Sequence, residues 1–353
     1  MTKKVTIRDV AELAGVSIGT ASKVINNIGN VHIELKNKVN AAIKALNYSP
    51  NMIARSLKSS VSKTIAVLLS NITNPFQMTL AKGIEEVIFE KDYLFIISST
   101  NENPTIERKN LQLFYEQRVD GIILCSTGQV NEDILSLVER NIPMVLVDRP
   151  IPYLPVHIVA DDNFIGMEKL VTYLHELGHK EIGVVHGDLN TVHGRIRYES
   201  VLQSLTNYGL TTEHQFFGDF TYEGGQRAVE YFLSKTIVPT AIISSNNNMT
   251  AGILKACQNY KITIPDQLTV VSFGELEYEW DIIMPKVTAI VQSPREIGRR
   301  AASLLLEQMN REGQHQIVQL FIEPEISVGN SSSPKILRRK GDIREGACKL
   351  RFW

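Results

Sequence analysis

Residues 6–26 read TIRDVAELAGVSIGTASKVIN, and this stretch decides the architecture of the N-terminal part of the chain. Thr6 is a good N-cap, and Asp9, three residues on, supports the first turn of a helix. Val10, Leu13 and Ala14 form one apolar stripe, and Gly15 can take the left-handed conformation that ends the helix. Ser17 then caps a second helix whose apolar side is Ala21, Val24 and Ile25. Two short helices joined by about three residues make a helix-turn-helix. A third helix follows, with Leu35, Val39, Ala42, Ile43 and Leu46 at helical spacing, enough to close a small three-helix core.

The outer side of the second helix carries Ile18, Gly19, Thr20, Ser22 and Lys23. A major groove admits one helix, and side chains on its first turn reach base edges. Hydroxyls such as those of Thr20 and Ser22 bond phosphates and set register. Lys23 can donate to guanine or to phosphate, Ile18 can touch a thymine methyl, and Gly19 lets the backbone come close. The competing reading is a helical hairpin that only packs on a partner. Charge favours the first. Residues 1–60 hold nine Lys/Arg against three Asp/Glu, while the chain as a whole has a net charge of -1. Residues 331–353 hold seven against two, which leaves -12 on 61–330. A basic head on an acidic body suits a head that meets a polyanion.

Next comes YSPNMIARSLKSS, residues 48–60. Ser49 as N-cap and Pro50 at the first helical position open a helix well. The candidate helix, Pro50 to Lys58, is too short to be stable alone in water. It carries Arg55, Leu57 and Lys58, so it can order on DNA, with Leu57 wedging into a minor-groove step. A polar linker with one stray leucine explains the same residues equally well.

At 353 residues, with 43% hydrophobic and 21% charged positions, the chain has room for two or three domains with sizeable cores. No apolar run reaches the length of a membrane span, and MTKKVTIRDVAEL lacks an apolar signal core, so a cytoplasmic protein is expected. Cys125, Cys257 and Cys348 are far apart and form no CxxC pair, which argues against disulfides or a zinc site. Cys125 and Cys257 read as small buried apolar residues.

From Ser62 on, short apolar runs alternate with helical stretches. TIAVLL (64–69), YLFII (93–97), GIILC (121–125), MVLV (144–147) and VHIVA (156–160) read as buried strands. IGVV (182–185), AIIS (241–244) and LTVVSF (268–273) continue the series. Strands alternating with amphipathic helices mean parallel α/β units, which bind ligands outside the carboxyl ends of their strands.

The string VTIRDVAELAGVSIGTASKVIN, then AAIKALNYSPNMIARSLKS, resembles the head and hinge of the LacI/GalR family of bacterial transcription regulators. The resemblance continues through RVDGIIL, PMVLVDR, LGHKEIGVVHG, PTAIISSNNNMTAGIL, IPDQLTVVSF and IVQSP, over roughly residues 5–330. It implies an all-α helix-turn-helix head (1–49), a hinge (50–61) and an α/β body of the periplasmic-binding-protein type (62–330). Two doubly wound parallel-sheet subdomains are implied, about 62–161 with 293–320 and about 162–292 with 321–330; residues 331–353 run past the usual family end and read as a basic disordered tail. It also implies a homodimer on a palindromic double-stranded DNA operator, acting as a repressor. The positions matching the family's base readers are Ile18, Gly19 and Lys23, while Ser17, Thr20, Ser22 and Asn26 match phosphate-contacting or helix-positioning ones. Thr6 and the hinge residues Asn51, Ala54, Arg55, Leu57 and Lys58 complete the implied DNA side. The small apolar pair at 18 and 19 resembles the branch that carries Met-Ala there, which leaves Lys23 the main polar reader. The tail shows no leucine heptads, so no tetramerisation helix is expected.

The same resemblance implies a small-molecule effector in the cleft between the subdomains. Phe76 resembles an aromatic that borders the cleft, and Phe220 matches a ring that packs on the ligand. Spacing to Tyr208, Gly209 and Leu210 places Arg197, rather than Arg195, at the family's effector arginine, with His193 nearby. Asn247 and Gly274 stand where relatives usually carry acids, with Glu275 just beyond, and Trp280 offers a stacking face. Neutral sugars are often held by carboxylates that accept from their hydroxyls. Fewer carboxylates and more arginine favour an anionic effector, a sugar acid first and a sugar phosphate next. The alternative is that Arg195 and His193 face solvent and Glu275 restores the missing acid.

Other classes fit less well. There is no GxGxxG after a strand, no Walker loop, no GxSxG and no HExxH, so neither an enzyme nor a cofactor or metal is expected. A transport-type solute-binding protein would need an export signal and no basic head. A regulator of the catabolite-control type, with a phosphorylated carrier protein as coregulator, stays open beside the small-ligand reading.

Overall fold

A computed structural model describes residues 5–49, 61–128, 131–276, 285–310 and 316–335. Asn51, Ala54, Arg55, Leu57 and Lys58 of the hinge, together with Trp280 and Cys348, lie outside the described residues. Contacts divide the chain into two units, the first ending at Lys63 and the second beginning at Thr64.

The first unit holds α1 (Ile7–Ala14), α2 (Ile18–Ile25) and α3 (Ile33–Ala45). The Asp9 carboxylate accepts from both the backbone N–H and the hydroxyl of Thr6 at 2.7 Å, and Gly15, at φ 63°, ends α1. The Ser17 hydroxyl accepts from the Thr20 N–H at 3.1 Å and so starts α2. Val10, Ala11, Ala14, Ala21, Val24, Val39 and Ala42 make the core, with Ile25, Ile43 and Leu46 packed against it. Leu13 departs from the expected stripe: it is 56% exposed, and Ala11 takes the inward place. At 100° per residue, Val10, Ala11 and Ala14 cluster on one side and Leu13 falls outside their arc.

The second unit has two six-stranded sheets. The first runs β11-β5-β4-β3-β1-β2, built from β1 (Thr64–Leu69), β2 (Leu94–Ser99), β3 (Gly121–Leu124), β4 (Met144–Val147), β5 (His157–Asp161) and β11 (Gln319–Ile322). All its pairings are parallel. The second runs β12-β10-β9-β8-β6-β7. Its strands are β6 (Ile182–His186), β7 (Gln215–Phe217), β8 (Ala241–Ser244), β9 (Thr269–Phe273), β10 (Thr288–Val291) and β12 (Glu325–Ser327), with only β12 antiparallel.

Helices cover both faces of each sheet, which is why the central strands read as unbroken apolar runs. Ile65, Val67 and Leu69 of β1 face a core shared with α4 (Pro75–Phe89) and α11 (Pro294–Asn310). Ala66 and Leu68 face the opposite core, with α5 (Pro104–Glu116) and α6 (Glu132–Glu139). The second sheet packs on α7 (Asn163–Glu176) and α8 (Val192–Asn207) on one side, and on α9 (Tyr222–Leu233) and α10 (Asn247–Asn259) on the other. Glycine lets α4 and α11 approach closely: a Cβ on Gly298 would sit 2.1 Å from the Leu80 carbonyl oxygen. Cys125 and Cys257 are free and buried, and burial pushes both thiols up to about 12.

The chain passes between the sheets after β5, after β10 and between β11 and β12. Phe321 and Ile322 pair with Ala160 and Asp161 of the first sheet, so the last crossing falls after 322 and not after 320. Order also runs beyond residue 330. Ser331 accepts from the Thr288 N–H, and the Lys335 N–H donates to the Leu177 carbonyl, so residues 331–335 belong to the packed body and not to a disordered tail.

Candidate functional site

The candidate residues gather on two surfaces, one in each unit. On the head, α2 turns a face to solvent. Ile18 is 47% exposed, and Ser17, Gly19 and Lys23 are exposed beside it. The polar residues around them are tied to one another. The Ser17 and Thr20 hydroxyls lie 2.9 Å apart, and the Asn26 amide donates to the Ser22 carbonyl at 2.8 Å and to its hydroxyl at 3.2 Å. Ser17 and Asn26 therefore brace the two ends of α2, while Ile18, Gly19 and Lys23 make no such side-chain bond among the described residues. Thr6, also exposed, is engaged by Asp9.

In the body, a cavity of about 630 Å³ opens at the carboxyl ends of both sheets, a volume that suits a small ligand. Phe76, His193, Arg197, Phe220 and Asn247 all line it, brought together from α4, α8, the turn after β7 and α10. Gly274 and Glu275 are not in its wall. Gly274, at φ 91°, lies behind the wall residue Gln292, and a Cβ there would come within 2.7 Å of the Gln292 amide oxygen. Glu275 is half-buried, and burial raises its pKa. Arg195 is exposed and donates to the Leu189 and Asn190 carbonyls.

The two cavity arginines differ in their partners. Arg149 meets Glu102 in a fork at 2.6 and 2.7 Å, and Asp148 lies 3.7 Å from its Nε. Arg197 is 5% exposed and has only neutral partners: Nε donates to Asn163 at 2.7 Å and Nη1 to the Ser245 carbonyl at 2.6 Å. Its guanidinium carbon rests 3.8 Å from the centre of the Phe273 ring. No carboxylate among the described residues comes within ion-pair distance of Arg197, and burial lowers its pKa to about 10. Beside it, His193 stacks on Phe220 with ring centres 4.9 Å apart. Burial, followed by repulsion from Arg149 and Arg197, holds this imidazole neutral, and its Nδ1 has no hydrogen-bond partner among the described residues.

The wall also holds residues the sequence did not single out. Glu102, Asp148, Asp188, Asp219 and Glu223 are all present, so the cavity is not short of carboxylates as the substitutions at 247 and 274 suggested. Glu102 is committed to Arg149, and Asp219 and Glu223 are exposed at the rim. Asp148 and Arg149 directly follow the apolar strand MVLV, a position where ligand residues are expected, and that signal was legible. Asp148 has φ 65°, and the Arg149 N–H donates back to the Val147 carbonyl at 2.7 Å, a strained γ-turn that aims both side chains. Asp219 and Phe220, at φ 53° and 60°, form a second strained turn in the wall. Among the described residues, no cluster of three metal-ligating side chains and no membrane-length apolar helix occurs.

Comparison with known proteins yields matches over both units. Residues 6–51 match the model of the bacterial regulatory proteins of the lacI family, and residues 62–322 that of the periplasmic binding proteins and sugar binding domain of the LacI family. The HTH-type transcriptional repressor PurR of Haemophilus influenzae (strain PittEE) is 31% identical over 333 residues, covering 92% of this chain and 98% of that protein. The ribose operon repressor of Escherichia coli (strain K12) is 31% identical over 310 residues, covering 87% and 93%. Among solved structures, the Lac repressor dimer bound to operator and the anti-inducer ONPF superposes with a TM-score of 0.84 at 24% identity, covering 94% of this chain and all of that one. The transcriptional regulator CelR in complex with cellobiose gives 0.69 at 26% identity over 93% of this chain and 100% of that chain.

Proposed function

The chain belongs to the LacI family of bacterial regulatory proteins, and on that premise we propose that it is a DNA-binding transcriptional repressor controlled by an acidic sugar. It acts in the cytoplasm as a homodimer, each head laying α2 in the major groove of one half of a palindromic operator. Ile18, Gly19 and Lys23 read bases, and Ser17, Thr20, Ser22 and Asn26 hold the helix in register on phosphate. Leu57 of the hinge enters the central minor groove.

The observation that carries the effector reading is Arg197: a buried guanidinium, with an edge on the cavity and no anionic partner. An isolated buried charge is costly, and a ligand carboxylate compensates it through a charge-assisted fork. Asp148, Gln77 and the asparagines of the wall then serve the hydroxyls of a polyol chain, and the Phe220–His193 stack gives it an apolar floor. Helices α4, α8, α9 and α10 all begin at the cavity rim, which adds favourable potential for an anion.

Effector and operator are linked through the relative position of the two subdomains. A ligand that binds the DNA-free arrangement more tightly releases DNA, and DNA weakens that ligand by the same factor. The experiment is fluorescence anisotropy on the DNA upstream of the protein's own coding region, with sugar acids, sugar phosphates and neutral sugars added in turn. Release by a sugar acid supports the reading; release by neutral sugars alone refutes the anionic effector. Binding indifferent to every small molecule points instead to a protein coregulator.

A further inference from the structure

Asn163 opens α7 and is 5% exposed. It stands just past the carboxyl end of β5, where the chain first crosses between the sheets. Its neighbours hold the backbone there. The Asp162 carboxylate caps α7, accepting from the Phe164 and Ile165 N–H groups at 3.0 Å. The Asp161 carboxylate accepts from the Ser293 N–H and from the Gln292 amide, both at 3.1 Å. Both ends of the Asn163 side chain are engaged. Its nitrogen donates to the Asp161 carbonyl at 3.1 Å, and its oxygen accepts from Arg197 Nε at 2.7 Å. Each partner fixes the same orientation of the amide. The Asp161 carbonyl can only accept and the guanidinium can only donate, so the nitrogen faces the first and the oxygen the second.

Arg197 is thereby held without being neutralised. Asn163 takes Nε, the Ser245 carbonyl takes Nη1 at 2.6 Å, and the Phe273 ring lies 3.8 Å from the guanidinium carbon. Nη2 has no hydrogen-bond partner among the described residues, and Arg197 lines the cavity. Burial works against the charge, Asp148 and Asp161 favour it from beyond ion-pair distance, and Arg149 adds to the cost. Aspartate has nearly the shape of asparagine. At position 163 it would meet Nε in a direct ion pair and cancel the charge on which a bound anion depends. Asn163 itself is not in the cavity wall, so it acts only through Arg197.

We propose that Asn163 is a positioning residue that sets the charge preference of the cavity: its neutral amide aims the Arg197 guanidinium and leaves the positive charge for a bound anion. This role rests on the reading of Arg197 as the seat of an anionic effector, and it adds the residue that keeps the seat positive.

The test compares intact wild type, Asn163→Asp and Asn163→Ser, with Arg197→Met as the background in which the seat is gone. Sodium sulfate is the first probe, titrated against sodium chloride of equal ionic strength while the melting temperature is followed. The wild type should show a saturable sulfate effect that Arg197→Met lacks. Asn163→Asp places a negative charge a guanidinium's width from the anion and should weaken sulfate about 100-fold, taking an effective permittivity of about 20. Asn163→Ser removes the amide without adding charge and should weaken it by no more than about tenfold. A merely structural Asn163 would weaken it alike in both variants. Equal losses in the two, an Asn163→Asp affinity like that of the wild type, or a wild type no different from Arg197→Met overturns the proposal. Should Asn163→Asp not fold, the double variant Asp161→Asn, Asn163→Asp keeps the number of acids and moves one onto Nε. It should show the same loss, and wild-type sulfate affinity in it overturns the proposal. D-galacturonate and D-galactose, measured calorimetrically, then separate this role from the effector reading. Preference of the wild type for galacturonate, lost in Asn163→Asp, supports both, and the same preference kept in Asn163→Asp overturns the role of Asn163. Preference for galactose, or binding of neither sugar, in a wild type that holds sulfate at Arg197 counts against the effector reading alone.

Discussion

Replacing Arg197 by methionine separates ligand recognition from folding. Burial, with Arg149 adding to it, holds the Arg197 pKa at about 10 against an ordinary 12.5, so its charge costs the folded body about 3 kcal/mol. Methionine removes that cost and keeps a flexible apolar stem on the Phe273 ring. Against this, the Asn163 side-chain oxygen and the Ser245 carbonyl lose their donor, at about 1–3 kcal/mol each. The two effects largely offset, and net stability should change by no more than about 3 kcal/mol. Effector binding has no such offset. Hydrogen bonds to a charged partner are worth about 1.5–3 kcal/mol, so losing a carboxylate fork costs about 3 kcal/mol, or about 100-fold in affinity. Operator binding without effector should be unchanged. The assay is operator release by anisotropy, with urea unfolding of the same preparation. If Arg197→Met is released from DNA by the same sugar acid at the same concentration as the wild type, the role given to Arg197 is wrong.

Further expectations concern the head, the helix pair and acid stability. Lys23→Ala should weaken operator binding by about 1–3 kcal/mol and leave effector binding intact, as compared by anisotropy and calorimetry. Gly298→Ala places a methyl against the Leu80 carbonyl, only 2.1 Å away, and should destabilise the body by about 1–3 kcal/mol in urea unfolding. His186, 1% exposed beside Tyr198 and Phe217, has its pKa lowered by burial to about 4. The unfolded chain therefore takes up a proton at this residue first as pH falls, and stability should drop by up to about 3 kcal/mol between pH 6.5 and 4. His186→Phe should flatten that part of the pH profile; an unchanged slope would assign the acid loss elsewhere.

The strands most legible in the sequence are the longer apolar runs, above all those buried on both faces. TIAVLL and MVLV are covered on both faces, so every side chain after Thr64 in the first and all four in the second are apolar, and the strand announces itself. The strands β7, β11 and β12 were missed because they are short and half-exposed, and β10, though buried, because it is only four residues long. In QLFI, Gln319 and Phe321 face outward, and no continuous apolar run exists to be seen. Leu13 misled for the converse reason: hydrophobicity alone does not say which side of a short helix faces the core. In the cavity, family spacing led to Arg197 and His193, and position after a strand could have led to Asp148 and Arg149. Glu102 had no such signal. It reaches Arg149 across 47 residues of chain, and only the packing of β2 and β4 into one sheet brings them together. The deficit of carboxylates inferred from Asn247 and Gly274 failed because acids elsewhere in the sequence converge on the same space.

On the proposed function, an anion seated on Arg197 controls the grip of the head on DNA. This is tested most directly by following the anisotropy of the labelled operator while a sugar acid and its neutral sugar counterpart are titrated against the wild-type protein. Release by the acid is expected at concentrations where the neutral sugar has no effect. Equal release by both, or release by the neutral sugar alone, contradicts it.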